Sequence, residues 1–92
     1  MKRFEYKVPG GKLLRVKLEE RNGVITFLQL TGDFFMIPET DLEGIESKLI
    51  GFKCDPPGIE RLVQSYFSEK KTTMAGVSPS DISYVICQAL KA

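Results

Sequence analysis

The sequence predicts an α+β fold: a small antiparallel sheet of three or so strands, with an N-terminal hairpin, covered on one face by three helices. Three observations carry this expectation. Apolar residues alternate with period two through the first third of the chain, an Asn-Gly pair punctuates that region, and three stripes of helical spacing follow it. Strands precede helices with no βαβ alternation, which argues against a parallel nucleotide-binding sheet.

Phe4, Tyr6 and Val8 alternate with Glu5 and Lys7 as a half-buried strand does, and Leu14, Val16 and Leu18 alternate with Arg15, Lys17 and Glu19 in a second. Asn22-Gly23 is a strong hairpin signal, and Val24 to Thr31 returns as the third strand. A two-residue turn would set Leu18 opposite Phe27 but Val16 opposite the polar Gln29. A three-residue loop, Arg21-Asn22-Gly23, sets Leu14 opposite Leu30 and Val16 opposite Leu28. A one-residue slip exchanges the faces of a strand, so the second register is the expected one.

The first helix opens at Thr40 with Glu43 at capping-box spacing, places Leu42, Ile45 and Leu49 on one stripe, and stops at Gly51. Gly44 inside it costs roughly 1 kcal/mol against alanine. The second has Asp55 as N-cap, prolines in the first turn, and Ile59, Leu62, Val63, Tyr66 and Phe67 on one face. In the third, Ser78 caps, Pro79 starts, and Ile82, Val85, Ile86, Ala89 and Leu90 form the stripe. The intervening "SEKKTTMAGV" reads as a polar connector, its Lys70 and Lys71 as solvated charge.

The 92 residues suit one domain, able to bury roughly 60 to 68 per cent of its unfolded surface. Thirteen basic against twelve acidic residues argue against a nucleic-acid binder that relies on bulk attraction to phosphate. No apolar run approaches the roughly 18 residues of a membrane span and no leader precedes the first strand, so a cytoplasmic protein without a membrane partner is expected. The chain has no histidine, which removes the usual activation of a Ser or Cys nucleophile and leaves a zinc site short of ligands. Cys54 and Cys87 lie far apart in sequence, and Cys87 falls among apolar helix positions as a small hydrophobe.

Two stretches stand out. Val8-Pro9-Gly10-Gly11 suits a type II turn, with Gly10 supplying the positive φ. It either joins two strands or directs successive amides and the ammonium groups of Lys7 and Lys12 at an anion. It is not a Walker loop, because Leu13 follows Lys12 where Ser or Thr is needed. "GDFFMIP", Gly32 to Pro38, places two adjacent phenylalanines between the third strand and the first helix. In extended backbone Phe34 and Phe35 face opposite ways, so one is a candidate anchor for a partner, unless a bend or a covering helix buries both. Asp33 is read as a metal ligand or a turn cap, and a lone carboxylate favours the cap. The carboxylates Glu39, Asp41, Glu43 and Glu46 surround a helix start, where the dipole favours them without any metal.

Together these residues resemble a known family. "YKVPGGKLLRV", an acidic turn, and "ITFLQLTGDFFMIPETDLEGIESKLIG" are similar to the small C-terminal accessory domain of lipoate–protein ligases, with its K-x-P-G-G-K-L, its hairpin, its G-D-F-F-x-x-P and a helix ending in L-x-G. The match runs through about the first 51 residues; "AGVSPSDI" is compatible. The resemblance implies that residues 1–92 are one accessory domain, and that a chain opening at Met1 is the separate small subunit found in some archaeal systems. It implies a heterodimer with a large catalytic subunit that holds magnesium, ATP and lipoate, forms lipoyl-adenylate, and passes the lipoyl group to a lysine of lipoyl domains in 2-oxoacid dehydrogenases or glycine cleavage proteins. The small domain is implied to serve mainly in adenylation, to move or dissociate when the acceptor enters, and to be inactive alone, with no catalytic residue or metal of its own.

Carried over residue by residue, Lys7, Gly10, Gly11 and Lys12 are candidates for the adenylate site or for ordering a loop over it, and Gly32, Asp33, Phe34 and Phe35 for the subunit interface. Two other classes stay open at this level: a scaffold similar to iron–sulfur assembly proteins, and a small self-contained enzyme.

Overall fold

The computed structural model describes all 92 residues. Strands β1 (Lys2–Lys7), β2 (Leu13–Arg21) and β3 (Val24–Gly32) form an antiparallel sheet in sequence order. The alternating residues divide as the period requires. Leu14, Val16 and Leu18 are buried, whereas Arg15, Lys17 and Glu19 are exposed on the opposite face.

The expected register is corrected by the structure. Asn22 and Gly23, with φ of 54° and 78°, form a two-residue turn that pairs Arg21 with Val24 and Glu20 with Ile25. A bulge then leaves Thr26 unpaired, its hydroxyl donating to the Glu19 carbonyl, and the ladder resumes with Glu19 opposite Phe27. Leu18 therefore faces Leu28 and Val16 faces Leu30, while Leu14 lies opposite Gly32. The demand for apolar side chains on one face was met by inserting a residue within the strand, not by lengthening the loop.

After β3 the chain forms a short strand, β4 (Phe35–Ile37), and then helix α1 (Thr40–Leu49). The capping box expected at Thr40 is absent: Glu39 occupies the N-cap with helical backbone and no side-chain bond. The first turn is instead held by backbone bonds to the Pro38 and Glu39 carbonyls. The Asp41 side chain is buried and accepts from the Thr72 hydroxyl. Helix α1 runs along β3, whose outer edge is covered rather than open. Glu46 accepts the Leu30 N–H at 2.7 Å, Gly51 donates to the Ile25 carbonyl at 2.7 Å, and Ile25 donates to the Phe52 carbonyl at 3.0 Å.

Helix α2 (Pro56–Lys70) is capped by Asp55, which accepts from Gly58, and ends on Lys71 in the left-handed region. The expected connector then contains a further strand, β5 (Thr73–Ala75), paired antiparallel with β4. Helix α3 (Pro79–Lys91) begins with a full capping box between Ser78 and Asp81. Backbones of α1 and α3 approach the main sheet, and α2 packs across both of them. Ile45, Leu49, Ile82, Val85 and Ile86 of α1 and α3 and Ile59 and Val63 of α2 are fully buried in one core with the inner face of the sheet. Each such side chain contributes roughly 1.5–3 kcal/mol by leaving water. Tyr84 of α3 adds edge-on and tilted ring contacts with Phe4 and Tyr6, at 6.2 and 4.9 Å between centroids. No helix is long and apolar enough to cross a membrane.

Gly44 now has a packing reason. A Cβ there would run into the hydroxyl of the buried Tyr66. Gly44→Ala gains about 1 kcal/mol of helix propensity against a cost of roughly 1–3 kcal/mol for overpacking a core, so the expected net effect is a loss of up to about 2 kcal/mol. Urea denaturation checks this, and a stabilised variant contradicts it.

Glu46 yields a pH prediction. Burial raises its carboxyl above the ordinary 4.5, against the lowering effect of the Leu30 N–H. The unfolded chain therefore gives up this proton first, so stability falls as pH rises from the ordinary value through the folded-state value, and stays lower above it. Glu46→Gln keeps an acceptor for Leu30 without the charge, and its stability curve is expected to lack this decline; parallel curves for the two proteins contradict the assignment.

Candidate functional site

The Val8–Gly11 turn closes as its residues dictate. Pro9 sets one corner, Gly10 takes φ of 70°, and Gly11 donates to the Val8 carbonyl at 2.8 Å. Val8 also donates to the Lys12 carbonyl at 3.1 Å, tying the ends of the turn together. Lys7 folds back so that its ammonium donates to the Gly11 carbonyl. That lysine stiffens the turn instead of projecting freely.

Lys12 is placed differently. Its backbone N–H donates to the Gly76 carbonyl at 2.9 Å, and its aliphatic stem crosses Gly76. The contact needs glycine on both sides. A Cβ on Gly76, whose φ is 91°, would lie 2.5 Å from Lys12 Cγ, and a Cβ on Gly11 would meet the Gly76 carbonyl. The Lys12 side chain is exposed and enters neither of the chain's two ion pairs, Lys2–Glu20 and Arg15–Glu5.

The second motif meets the first at its other end. Asp33 donates its N–H to the Leu13 carbonyl at 3.1 Å, with Gly32 packed directly against that carbonyl. Asp33 was expected to cap a turn through its carboxylate; its side chain is exposed and its hydrogen bond is the backbone one. Phe34 is half-buried against the core, whereas Phe35 is 71 % exposed. The two phenylalanines do face opposite ways.

Ile37, two residues on and on the same side of β4 as Phe35, is 64 % exposed, and Met36 between them is buried. Across the two-stranded sheet, Ala75 pairs with Phe35 and Thr73 with Ile37. Ile37, Ala75 and Gly76 join the candidate site without having been singled out in the sequence. A three-residue strand is too short to show a period, and its partner is remote in sequence. Beside this patch runs a groove lined by Leu30, Phe34, Met36 and Leu42, with Glu39 and Glu43 at its rim.

The cysteines have a different chemistry. The Cys54 thiol is pushed up to about 11, by burial first and by its hydrogen bond to Glu20 second. Cys87 is raised as well, mainly by burial. Both shifts oppose the thiolate that a cluster ligand or nucleophile requires. No three His, Cys, Asp or Glu side chains are grouped as ligands for a metal ion.

The fold is thus a small α+β unit whose distinctive feature is a junction of three loops, carrying one free lysine and an apolar patch. Residues 2–86 match the family described as bacterial lipoate protein ligase C-terminus, and the chain belongs to that family. A solved structure is also similar, with TM-score 0.75, 26 % identity, and 92 % of this chain and 90 % of that chain covered. It comes from a study of an archaeal lipoylation system, a bi-partite lipoate protein ligase and its E2 lipoyl domain from Thermoplasma acidophilum. No curated protein matches the chain at a significant level.

The junction makes a comparative prediction. Gly10→Ala and Gly76→Ala both place alanine at positive φ, which costs about 1–3 kcal/mol. Only the second also meets the Lys12 stem, since open space surrounds Gly10. Gly76→Ala is therefore expected to be the less stable variant in urea denaturation, and equal losses would mean that the junction yields freely.

Proposed function

We propose that this chain is the accessory subunit of a two-chain lipoate–protein ligase, required for ATP-dependent activation of lipoate to lipoyl-adenylate before transfer to a lysine of a lipoyl domain, and inactive alone. The observation that carries the reading is the family match over residues 2–86, which includes both motifs that meet at the loop junction. The similar chain from a bi-partite ligase supports it.

On this reading magnesium ATP and lipoate are held mainly by the large partner subunit. When bound there, the nucleotide would supply the adenylyl group that activates the lipoate carboxylate, with pyrophosphate as the leaving group. This chain's part is positional and electrostatic. Lys7 and the Gly11–Gly76 contact fix the turn, so that the free ammonium of Lys12 is held in place to offset negative charge on a phosphate or to order a loop over it. Phe35 and Ile37 are the anchors against the large subunit, with Gly32 and Asp33 setting where β4 begins.

Lipoate- and ATP-dependent pyrophosphate release by the cognate large subunit, with and without this chain, tests the reading. Release is expected only when both are present. In the assembled complex Lys12→Ala is expected to lower it by about tenfold or more. Phe35→Ala combined with Ile37→Ala is expected to weaken association by roughly 2 kcal/mol or more. A large subunit fully active by itself overturns the proposal, and an unchanged rate for Lys12→Ala removes the role given to its charge.

A further inference from the structure

The sheet has a second face, turned away from the helices. Its register places Arg3 opposite Lys17 and Lys17 opposite Gln29; the next row holds Glu5, Arg15 and Thr31, and Lys7 stands opposite Leu13. Five cations, Arg3, Lys7, Arg15, Lys17 and Arg21, thus stand against two carboxylates, Glu5 and Glu19, and all seven are exposed. This surplus exceeds the net charge of +1 for the whole chain, so the remainder of the molecule is net acidic.

Within the face the charges are not balanced internally. Arg15 is held by Glu5 at 3.1 Å, and Lys7 is engaged with Gly11. Arg3 and Lys17 form no ion pair. Like charges directly opposite in an antiparallel pair are destabilising, so this row is retained at a cost to the sheet. Phe27, 38 % exposed and opposite Glu19, adds an apolar contact on the same side.

We propose that this face, centred on Arg3 and Lys17, is a docking surface for an acidic patch on the protein whose lysine receives the acyl group. The inference rests on the proposed function, which requires the complex to receive a second macromolecule. Charge complementarity selects the occupant. An uncompensated cationic row with an apolar neighbour fits a folded acidic surface, and it attracts that surface before contact. The few cations, with carboxylates among them, suit such a partner better than a nucleic-acid backbone, which is bound by a larger basic surplus.

The test uses the assembled two-chain enzyme and its cognate lipoyl domain, reading pyrophosphate release and acyl transfer separately. Arg3→Glu combined with Lys17→Glu is expected to leave pyrophosphate release unchanged and to raise KM for the lipoyl domain by about tenfold at low salt, at the low end of what electrostatic steering provides. That difference should shrink at high ionic strength. The neutral pair Arg3→Gln and Lys17→Gln should move KM the same way by less, which guards against a folding defect in the reversed variant.

An unchanged KM overturns the docking surface while leaving the proposed function standing. Reduced pyrophosphate release with unchanged KM also overturns it, by making this face the seat of the large subunit. Binding of single-stranded oligothymidylate that the charge reversal abolishes, with KM unmoved, overturns it in favour of nucleic acid. Lys17→Glu alone is expected to raise Tm by a few degrees, because it turns a like-charge pair into an attractive one; an unchanged or lower Tm overturns the premise that the row is uncompensated.

Discussion

The contact of the Lys12 amide with the Gly76 carbonyl is the constraint on which the rest of the candidate site depends. It ties the turn between β1 and β2 to the segment that leads from β5 into α3. The Asp33–Leu13 bond then ties the end of β3 to the start of β2. Three segments distant in sequence are held at one end of the molecule by backbone groups that only glycine allows to approach so closely. Lysine position follows from that closure. Lys7 is consumed by the turn and Lys12 is left free, although the sequence presents them as equivalent shoulders.

The same closure explains the surface. With Met36 drawn into the core and β5 paired to β4, Phe35 and Ile37 are left on the outside. A two-stranded sheet this short cannot bury both of its faces, and the face left open is apolar. The main sheet shows the reverse. Its β3 edge is covered by α1 and the Gly51–Phe52 segment, and its outer face is charged. One surface is suited to a desolvated interface and the other to long-range attraction, and both belong to one compact frame of strands and helices.

Much of this frame was legible in the sequence because it rests on short-range physics. Alternation gave the strands, Ser78 and Asp55 marked two helix starts, and the Pro-Gly-Gly turn formed as its residues require. What failed depended on distant partners. The bulge at Thr26 is set by the need to face Leu18 and Val16 with Leu28 and Leu30, which turn chemistry alone does not contain. Thr40 lost its cap role because α1 starts against Pro38 and Glu39 carbonyls. The connector became β5 because β4 offered it an edge. Within the candidate site the motifs were readable, but their meeting at Leu13 and the contact of the first with Gly76 were not.

The most direct test of this account is hydrogen–deuterium exchange of the chain with and without the cognate large ligase subunit. The account predicts new protection at Lys7–Leu13, Gly32–Ile37 and Thr73–Gly76, with the exposed side of α2 unchanged. Protection confined to α2, or none at a saturating concentration of the partner, would contradict the junction as the seat of function.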